Sequence, residues 1–429
     1  MITKLFFLVF PIIVLLIPVA PLAQPDKQMM NVEQLIEEAV QNNPEILAAK
    51  KRWEVFKEKV PQARALPDPM FGFGIISLPT NFSFRDEDMT MKEISISQMF
   101  PFYGKRRLMG EMAENEAEVF SNEIQERINR IIKEVKAAYY ELSHVYRTSE
   151  VVHRNKRILE DFAKIAETRY AVGEGIQQDV LKAHVEISKM VDELIMLDQR
   201  RRALGAKLIA LLNRAPETPV GIPEEVTFRK LPLMVEELQK QAVYINPTLK
   251  AMKKMIEAKE KAHDLAKREY YPDFNFKFAY GQRDNAPDMT RRDMLTGMME
   301  LNIPIFYKTK QDRKVAETKA DALNWEAQYR AMKNEVLFMV ADMATMAHQR
   351  ERQHELYRTG IIPQASLQVN SAMSAYRVGK VDFMTLLDSQ MTLYRYELEY
   401  HQTITEYEKS VANLEAVVGR RLFEKEGAK

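Results

Sequence analysis

Histidine and cysteine are the side chains that most often carry metal or nucleophilic chemistry, and here neither is arranged for it. The chain has no cysteine, which excludes a disulfide framework, a thiol nucleophile and a thiolate metal site. No two histidines have the i, i+4 spacing around a carboxylate that zinc enzymes use. The seven histidines are His144, His153, His184, His263, His348, His354 and His401. Since a glycine-rich phosphate loop and a nucleophile elbow are also missing, we expect no enzyme, no cofactor and no bound metal.

Methionine leaves one alternative open. The chain has 25 methionines, and four of them surround a predicted hairpin: Met289, Met294, Met298 and Met299. Thioethers bind soft ions such as copper or silver, so this cluster is compatible with soft-metal handling. Methionine more commonly fills gaps between packed elements, which is the simpler interpretation.

Charge and small-residue content restrict the class of protein. There are 62 Lys and Arg against 61 Asp and Glu, so the basic excess typical of a nucleic-acid binder is missing. Only 14 glycines and 19 prolines occur among 429 residues, a smaller share than the roughly 12% of an average protein. We therefore expect long, uninterrupted helices and no nucleic-acid partner.

The N-terminus has the pattern of a secretory signal peptide, which we assign to residues 1–23. Lys4 precedes an apolar stretch from Leu5 to Val19, and small residues up to Ala23 come before a polar segment. A retained membrane anchor is the alternative. After this segment no run approaches the ~20 apolar residues of a membrane helix, so any membrane insertion would use strands.

The chain is an internal duplication whose corresponding segments lie 203 to 206 residues apart. Asn43-Pro44 recurs as Asn246-Pro247, and residues 208–214 (LIALLNR) recur as 414–420 (LEAVVGR). Three more pairs follow the same order: 66–68 with 271–273, 101–103 with 304–307, and 170–173 with 376–379. Repetition at a fixed distance indicates two copies of one structural unit. We assign a first repeat to 24–214, a proline-bearing connector to 215–235, a second repeat to 236–421 and a tail to 422–429.

Each repeat is predicted to contain a helix, two strands, a long helix, a turn and another long helix. In the first repeat one helix is expected over Val32–Arg64, and residues 105–169 lack proline and repeat apolar residues every three or four positions. At 1.5 Å per residue this second helix would be roughly 98 Å long. After a turn at Gly173 and Gly175, the last helix covers 177–213.

The second repeat is predicted to follow the same plan. It has a helix over 309–358, a break at Gly360 and Pro363, a continuation to Arg377, a turn at Gly379 and a final helix to Gly419. Long helices joined by short turns normally pack antiparallel, with coiled-coil-like seams.

Two predicted hairpins, at 70–100 and 273–304, alternate apolar and polar residues with a period of two. In Phe274–Gly281 one face holds three Phe and a Tyr, while the other holds Asn, Lys, Ala and Gly. A half-buried hairpin of a soluble sandwich would alternate in the same way. However, aromatic residues near strand ends are typical of a membrane interface, and four strands cannot close a barrel. Three copies would supply twelve strands, so we predict a mainly α protein with a membrane β-barrel shared between subunits.

The order of these elements resembles the TolC-like outer-membrane efflux channels. The duplication, the two hairpins and the Tyr-x-Val-Gly turns at Tyr170 and Tyr376 match from about residue 31 to 421. The stretches 359–365 and 376–383 are most similar to the branch associated with heavy-metal efflux. The resemblance implies a homotrimer whose twelve-stranded barrel lies in outer-membrane lipid and continues as a long α-helical barrel through the periplasm.

The same resemblance implies a function and partners. Channels of this family are passive exit ducts that dock to a periplasmic adaptor protein and to an inner-membrane pump, here of the resistance-nodulation-division type. The exported substrate would be a metal ion, a drug or another small molecule.

The resemblance also assigns site residues. Val172, Gly173, Val378 and Gly379 match the turns that contact the adaptor, although glycine capping of a helix explains the two glycines equally well. The residues that close the periplasmic tip match Asp179, Tyr376, Thr385 and Asp388. Thr385 stands where the family has an acidic residue, and Val381 replaces its gate arginine, so a salt-bridged lock is not expected. Three copies of Asp388 would form a charged ring around the channel axis.

Two other classes of protein remain open at this stage. A periplasmic adaptor without a pore would also contain a helical hairpin, but only one, joined to a small β module. An enzyme or binding protein could be built on a soluble helical scaffold. Only the channel should require detergent for extraction and migrate as a trimer.

Overall fold

A computed structural model describes residues 29–423. The predicted signal peptide and residues 424–429 of the predicted tail lie outside the described residues. The helices are α1 (Val32–Asn42), α2 (Pro44–Arg64), α3 (Lys105–Ala171), α4 (Gln177–Leu211), α5 (Val235–Ile245), α6 (Pro247–Arg268), α7 (Gln311–Leu356), α8 (Ile362–Arg377) and α9 (Phe383–Val418). The strands are β1 (Met29–Met30), β2 (Met70–Ile76), β3 (Met91–Phe100), β4 (Ile222–Pro223), β5 (Phe274–Gln282) and β6 (Met294–Leu301).

The long helices confirm the expectation drawn from the scarcity of glycine and proline. Helix α3 has 67 residues, which at 1.5 Å per residue gives roughly 100 Å. It packs against α2, α4, α6 and α9 along its length. The chain therefore contains an element several times longer than the width of an ordinary domain.

The predicted single helix over Val32–Arg64 is wrong, because the structure breaks it at Asn43. This residue is extended, and its side chain accepts a hydrogen bond from the backbone N–H of Glu45 at 2.9 Å, which starts α2. A residue that precedes proline, as Asn43 precedes Pro44, is disfavoured in the helical conformation. The Asn43 amide also donates to the carbonyl of Leu211 at 2.9 Å, so the break is tied to the end of α4.

The predicted break at Gly360 and Pro363 is a π turn over Tyr357–Ile361 that joins α7 to α8. Backbone dihedral angles are helical on both sides of it, at Leu356 and Ile362. Pro363 has no N–H to donate to the preceding turn, and the wider turn accommodates that missing hydrogen bond. The predicted interruption is therefore a local widening of the helix, and the predicted continuation to Arg377 is α8.

Four buried clusters hold the helices together, and the smallest consists of Ala347, Tyr407 and Val411 in α7 and α9. One joins the four helices α1, α2, α3 and α4 through residues such as Ile36, Ile131 and Leu208. Another joins α5, α6, α7 and α9 through residues such as Leu238 and Leu414. The third, near the helix turns, contains residues of α3, α4, α8 and α9. The first cluster lies within the first repeat, and the second joins the second repeat to Leu231 of the connector and Leu422 of the tail. The third brings the repeats together.

The two hairpins form one antiparallel sheet in the order β2-β3-β5-β6. Strand β3 pairs with β5 across the repeats, with Ile94 opposite Tyr280 and Ile96 opposite Phe278. A short parallel pairing of β1 with β4 ties the start of the described chain to the connector. No helix between residues 29 and 423 is long and apolar enough to cross a membrane.

Candidate functional site

One face of the four-stranded sheet is apolar and exposed. The register places Phe73, Ile94, Tyr280 and Leu295 in one row across the strands, followed by Phe71, Ile96 and Phe278 in the next. Phe73 is 76% exposed and Leu295 85% exposed. Soluble monomers rarely expose so continuous an apolar surface, so this face requires a lipid or protein partner. The helices of the same chain do not cover it, which argues against the sandwich alternative.

The opposite face of the sheet is polar or small. Glu93 forms an ion pair with Lys277 at 2.9 Å, and the Asn275 amide donates to Glu300 at 2.7 Å. Gly72 is packed so closely that an added Cβ would lie 2.6 Å from the Ser95 hydroxyl. The sheet thus separates an apolar side from a polar side, as a pore wall in lipid must.

Of the four methionines around the second hairpin, Met289 lies in the loop between β5 and β6, and the other three are divided between the two faces of the sheet. Met294 and Met298 lie on the polar face, opposite Gly281 and Lys277, whereas Met299 lies on the apolar face opposite Phe276. Within residues 29–423, His, Asp and Glu side chains do not gather in groups of three or more that could hold a metal ion.

The opposite end of the molecule consists of two helix turns, one from each repeat. Gly173 and Gly379 have positive φ angles of 80° and 71°, a conformation that side-chain-bearing residues rarely adopt. In both turns the glycine N–H donates to the carbonyl of the tyrosine three residues earlier at 3.0 Å. Val172 and Val378 beside them are 65% and 67% exposed. Both glycines therefore cap helices, and each turn presents an exposed valine.

Two of the predicted gate residues lie together across the repeats. The side chain of Tyr376 is only 4% exposed. Burial raises the pKa of the Tyr376 hydroxyl, and the negative charge of Asp179 raises it further. The pKa of Asp179 is itself raised, first by burial and then by the charge of Asp382, while Arg169 acts against both shifts.

The other two predicted gate residues lie on the exposed side of α9. The backbone N–H of Thr385 donates to the Asp382 carboxylate at 2.8 Å, which caps the start of the helix. Hydrogen bonds from Thr385 hold the pKa of Asp382 below its usual value. Asp388 follows one turn later and is also exposed. Thr385 and Asp388 are thus available to another molecule rather than buried with Tyr376.

Two residues beside the predicted gate residues, Arg169 and Asp382, were not predicted from the sequence. The repeat alignment contained a signal for Arg169, because the position 206 residues later is Ala375, so the arginine is specific to the first repeat. Asp382 could have been found as a helix cap, since an Asp three residues before Thr385 precedes an apolar run.

A sheet with one apolar exposed face, continued by paired helices of roughly 100 Å, is the architecture of an outer-membrane channel with a long helical extension. The model of the outer membrane efflux protein family matches residues 35–214 and 238–420, one match in each repeat. The chain therefore belongs to the outer membrane efflux protein family. It is an outer-membrane exit duct that extends into the periplasm, and this is a family of channels rather than enzymes.

Solved structures share the fold at low sequence identity. The outer membrane protein VceC from Vibrio cholerae superposes with a TM-score of 0.77 at 19% identity, covering 91% of this chain and 96% of VceC. The outer-membrane channel OprN gives 0.77 at 17% identity, covering 90% and 89%. CusC gives 0.78 at 14% identity, covering 91% and 92%. No curated protein sequence matches the chain.

Proposed function

We propose that three copies of this chain form the passive exit duct of a tripartite efflux system. Strands β2 and β6 each have one neighbour in the sheet, so each leaves a row of backbone N–H and C=O groups unpaired. Such groups cannot remain unsatisfied in lipid, and pairing β6 of one copy with β2 of the next satisfies them. Three four-stranded sheets then close a twelve-stranded barrel.

Exposed apolar residues on the helices support the same assembly. Several apolar side chains on the helices are at least 50% exposed. They include Leu181, Val185, Ile195 and Met196 on α4, and Phe338, Leu356 and Leu367 on α7 and α8. Two apolar rows on different helices of one chain fit a head-to-tail contact between neighbouring copies. The helices of three copies then form the tunnel wall.

The experiment for the duct is extraction followed by bilayer recording. We expect the protein to require detergent, to migrate or cross-link as a trimer, and to carry current in a planar bilayer. A protein that is released without detergent as a monomer would contradict the proposal and restore the periplasmic adaptor alternative. Resistance profiling of a deletion strain against metal salts and drugs then identifies the substrate class.

For the partners, we propose that Val172, Gly173, Val378 and Gly379 contact a periplasmic adaptor, which joins the duct to an inner-membrane pump of the resistance-nodulation-division type. The two exposed valines supply an apolar surface at the turns. A Val172→Asp, Val378→Asp double variant should form trimers but lose co-purification with the adaptor. Retained co-purification would exclude these turns as the contact.

For the gate, we propose that Asp179, Tyr376, Thr385 and Asp388 constrict the tunnel at its periplasmic end. Three Asp388 carboxylates around the axis attract cations, as charged rings in pores do. Asp388→Asn should therefore lower cation block or cation selectivity in bilayer recordings. An unchanged current–voltage relation would remove Asp388 from the gate.

A further inference from the structure

The end of the sheet next to the helices contains an ion pair between the two repeats. The ammonium group of Lys105, at the start of α3, lies 2.7 Å from the carboxylate of Asp273, which directly precedes β5. The same ammonium group donates to the carbonyl of Tyr271 at 3.0 Å, and the backbone N–H of Phe102 donates to Asp273 at 2.7 Å. The side chains of Lys105 and Asp273 are only 7% and 22% exposed. The pair therefore fastens the segment after β3 to the segment before β5.

The duplicated counterparts of these two charged residues have no partner within the protomer. Asp68 corresponds to Asp273 at a distance of 205 residues, and Lys308 corresponds to Lys105 at a distance of 203 residues. Both side chains are exposed, and among residues 29–423 neither forms a hydrogen bond or an ion pair. Asp68 precedes the edge strand β2, and Lys308 follows the edge strand β6. An acid and a base that correspond to a bonded pair are therefore free at the two open edges of the sheet.

The duplication also predicts how strands pair, and the two hairpins verify this. In the first hairpin Met70 lies opposite Ser97. The residue 205 positions after Met70 is Asn275, and the residue 203 positions after Ser97 is Glu300. Asn275 and Glu300 lie opposite each other in the second hairpin. The two distances therefore convert the strand register of the first repeat into that of the second.

The same distances convert the pairing of β3 with β5 into a register for β6 against β2 of the next copy. Ile96 lies opposite Phe278 within the protomer, so Met299 should lie opposite Phe73 of the next copy. Met299 and Phe73 both belong to the apolar face. A shift of one residue would place apolar side chains against polar ones. The converted register therefore keeps the apolar face continuous from one copy to the next.

We propose that Lys308 forms an ion pair with Asp68 of the next copy, and that this pair fixes the register in which neighbouring copies join their sheets. The bonded pair of Lys105 and Asp273 provides the geometry for the contact. Sliding one strand along the other would separate the two charges, so the pair selects one register against its neighbours. The inference rests on the proposed channel of three copies, and it adds the residues that specify how those copies join.

The first test reverses the two charges, one at a time and then together. Lys308→Glu and Asp68→Lys each place like charges against each other, so each should weaken the contact between copies about thirtyfold or more. The double variant restores opposite charges and should recover most of the trimer. Lys310→Glu is the matched control, because Lys310 is also exposed and lies two residues further along the chain; it should assemble like the unmodified protein. Light scattering of the detergent-extracted protein over a range of concentrations measures the fraction of trimer.

Cysteine pairs test the same register without changing any charge. Leu301→Cys combined with Phe71→Cys should form disulfides between copies, since directly opposite residues have Cα atoms about 4.5–5.5 Å apart. Leu301→Cys combined with Ile75→Cys is the control and should form none. In the proposed register Ile75 lies opposite Gly297 and next to Leu295 on the apolar face.

The outcomes separate this contact from the channel itself. If the unmodified protein is released without detergent as a monomer, the proposed channel is wrong. If it is a trimer and the charge variants reach the membrane, the ion pair is overturned when single reversals assemble normally or the double variant assembles no better than they do. If no charge variant reaches the membrane, the cysteine pairs decide. Covalent dimers for Leu301 with Phe71 and not with Ile75 support the contact, and any other linking pattern overturns it.

Discussion

Asn43 in the first repeat and Asn246 in the second make the same pair of hydrogen bonds. Each side chain accepts from the start of the following helix, and each amide donates to the end of its own repeat's last helix, at Leu211 and at Val417. Contacts between the repeats are different. Lys136 of the first repeat pairs with Glu415 of the second at 2.6 Å, yet the position that corresponds to Glu415 is Ile209.

The two helix turns also differ where one repeat contacts the other. Tyr376 is buried under Arg169, while its counterpart Tyr170 is 49% exposed. A duplicated unit can keep its internal contacts, because both copies need the same fold. Where the copies meet, two identical charged faces would repel each other, so these positions must become complementary instead. The structural asymmetry between the repeats is therefore found in the contacts between them.

Removing one partner of the buried ion pair should cause the greatest loss of stability. The side chains of Lys136 and Glu415 are 9% and 5% exposed, so removing one partner leaves an uncompensated buried charge. Lys136→Met or Glu415→Gln alone should lower the free energy of unfolding by about 3–5 kcal/mol. The double variant should recover most of this, because Gln can still accept from the backbone N–H of Leu422, which donates to Glu415 at 2.8 Å. Thermal unfolding of all three variants measures the difference, and additive losses would contradict the pairing.

The second prediction concerns how stability depends on pH, through the carboxyl group of Glu408. Burial raises the pKa of its carboxyl to about 7, against the hydrogen bond from Tyr140 and the charges of Arg229 and Lys136. Between the unfolded and folded pKa values the folded state holds a proton that the unfolded state has released, so stability decreases as pH rises from about 5 to 7. Glu408→Gln should flatten the dependence of melting temperature on pH over this range. The same slope in both proteins would show that another group titrates.

The internal contacts should respond equally in the two repeats. Asn43→Ala and Asn246→Ala each remove a helix cap and leave a carbonyl without its donor, so each should cost about 2 kcal/mol. Asn122→Ala is the matched control, since its amide bonds only within its own helix, to the carbonyl of Glu118. Unequal losses measured by thermal unfolding would show that the two asparagines do not play the same structural role.

The turn glycines should give the smallest effect, again alike in both repeats. Alanine at Gly173 or Gly379 must adopt a positive φ angle, which costs about 1 kcal/mol. Neither site adds a clash, because nothing lies within 4 Å of the added Cβ at Gly173 and the nearest atom at Gly379 is at 3.5 Å. Differential scanning calorimetry of Gly173→Ala and Gly379→Ala measures this cost. A loss of stability at only one turn would mean that the two caps are not equivalent.

The sequence alone predicts what depends on local pattern. The helix expected over 105–169 is observed as Lys105–Ala171, because no proline or paired glycine interrupts it. The alternation of apolar and polar residues in the hairpins predicts which residues share a face of the sheet. The break at Asn43 was missed although Pro44 restricts the residue before it.

Contacts between distant faces could not be predicted from pattern. Arg169 and Tyr376 are 207 residues apart, and Lys136 and Glu415 are 279 apart. Which faces of α3, α8 and α9 meet depends on how the two repeats pack, and the periodicity of the sequence does not reveal that packing.

Cysteine cross-linking tests whether copies of this chain complete one another's sheets, since the chain has no cysteine of its own. Phe73 and Leu295 lie in one row on the two edge strands, three strand spacings or roughly 14 Å apart within a protomer, too far for a disulfide. Leu295→Cys combined with cysteine at Phe71, Phe73 or Ile75 samples the register between copies, and single-cysteine variants are the controls. Oxidised membranes should yield covalent dimers and trimers for at least one pair and none for the controls, whereas monomers for every pair would contradict the shared barrel.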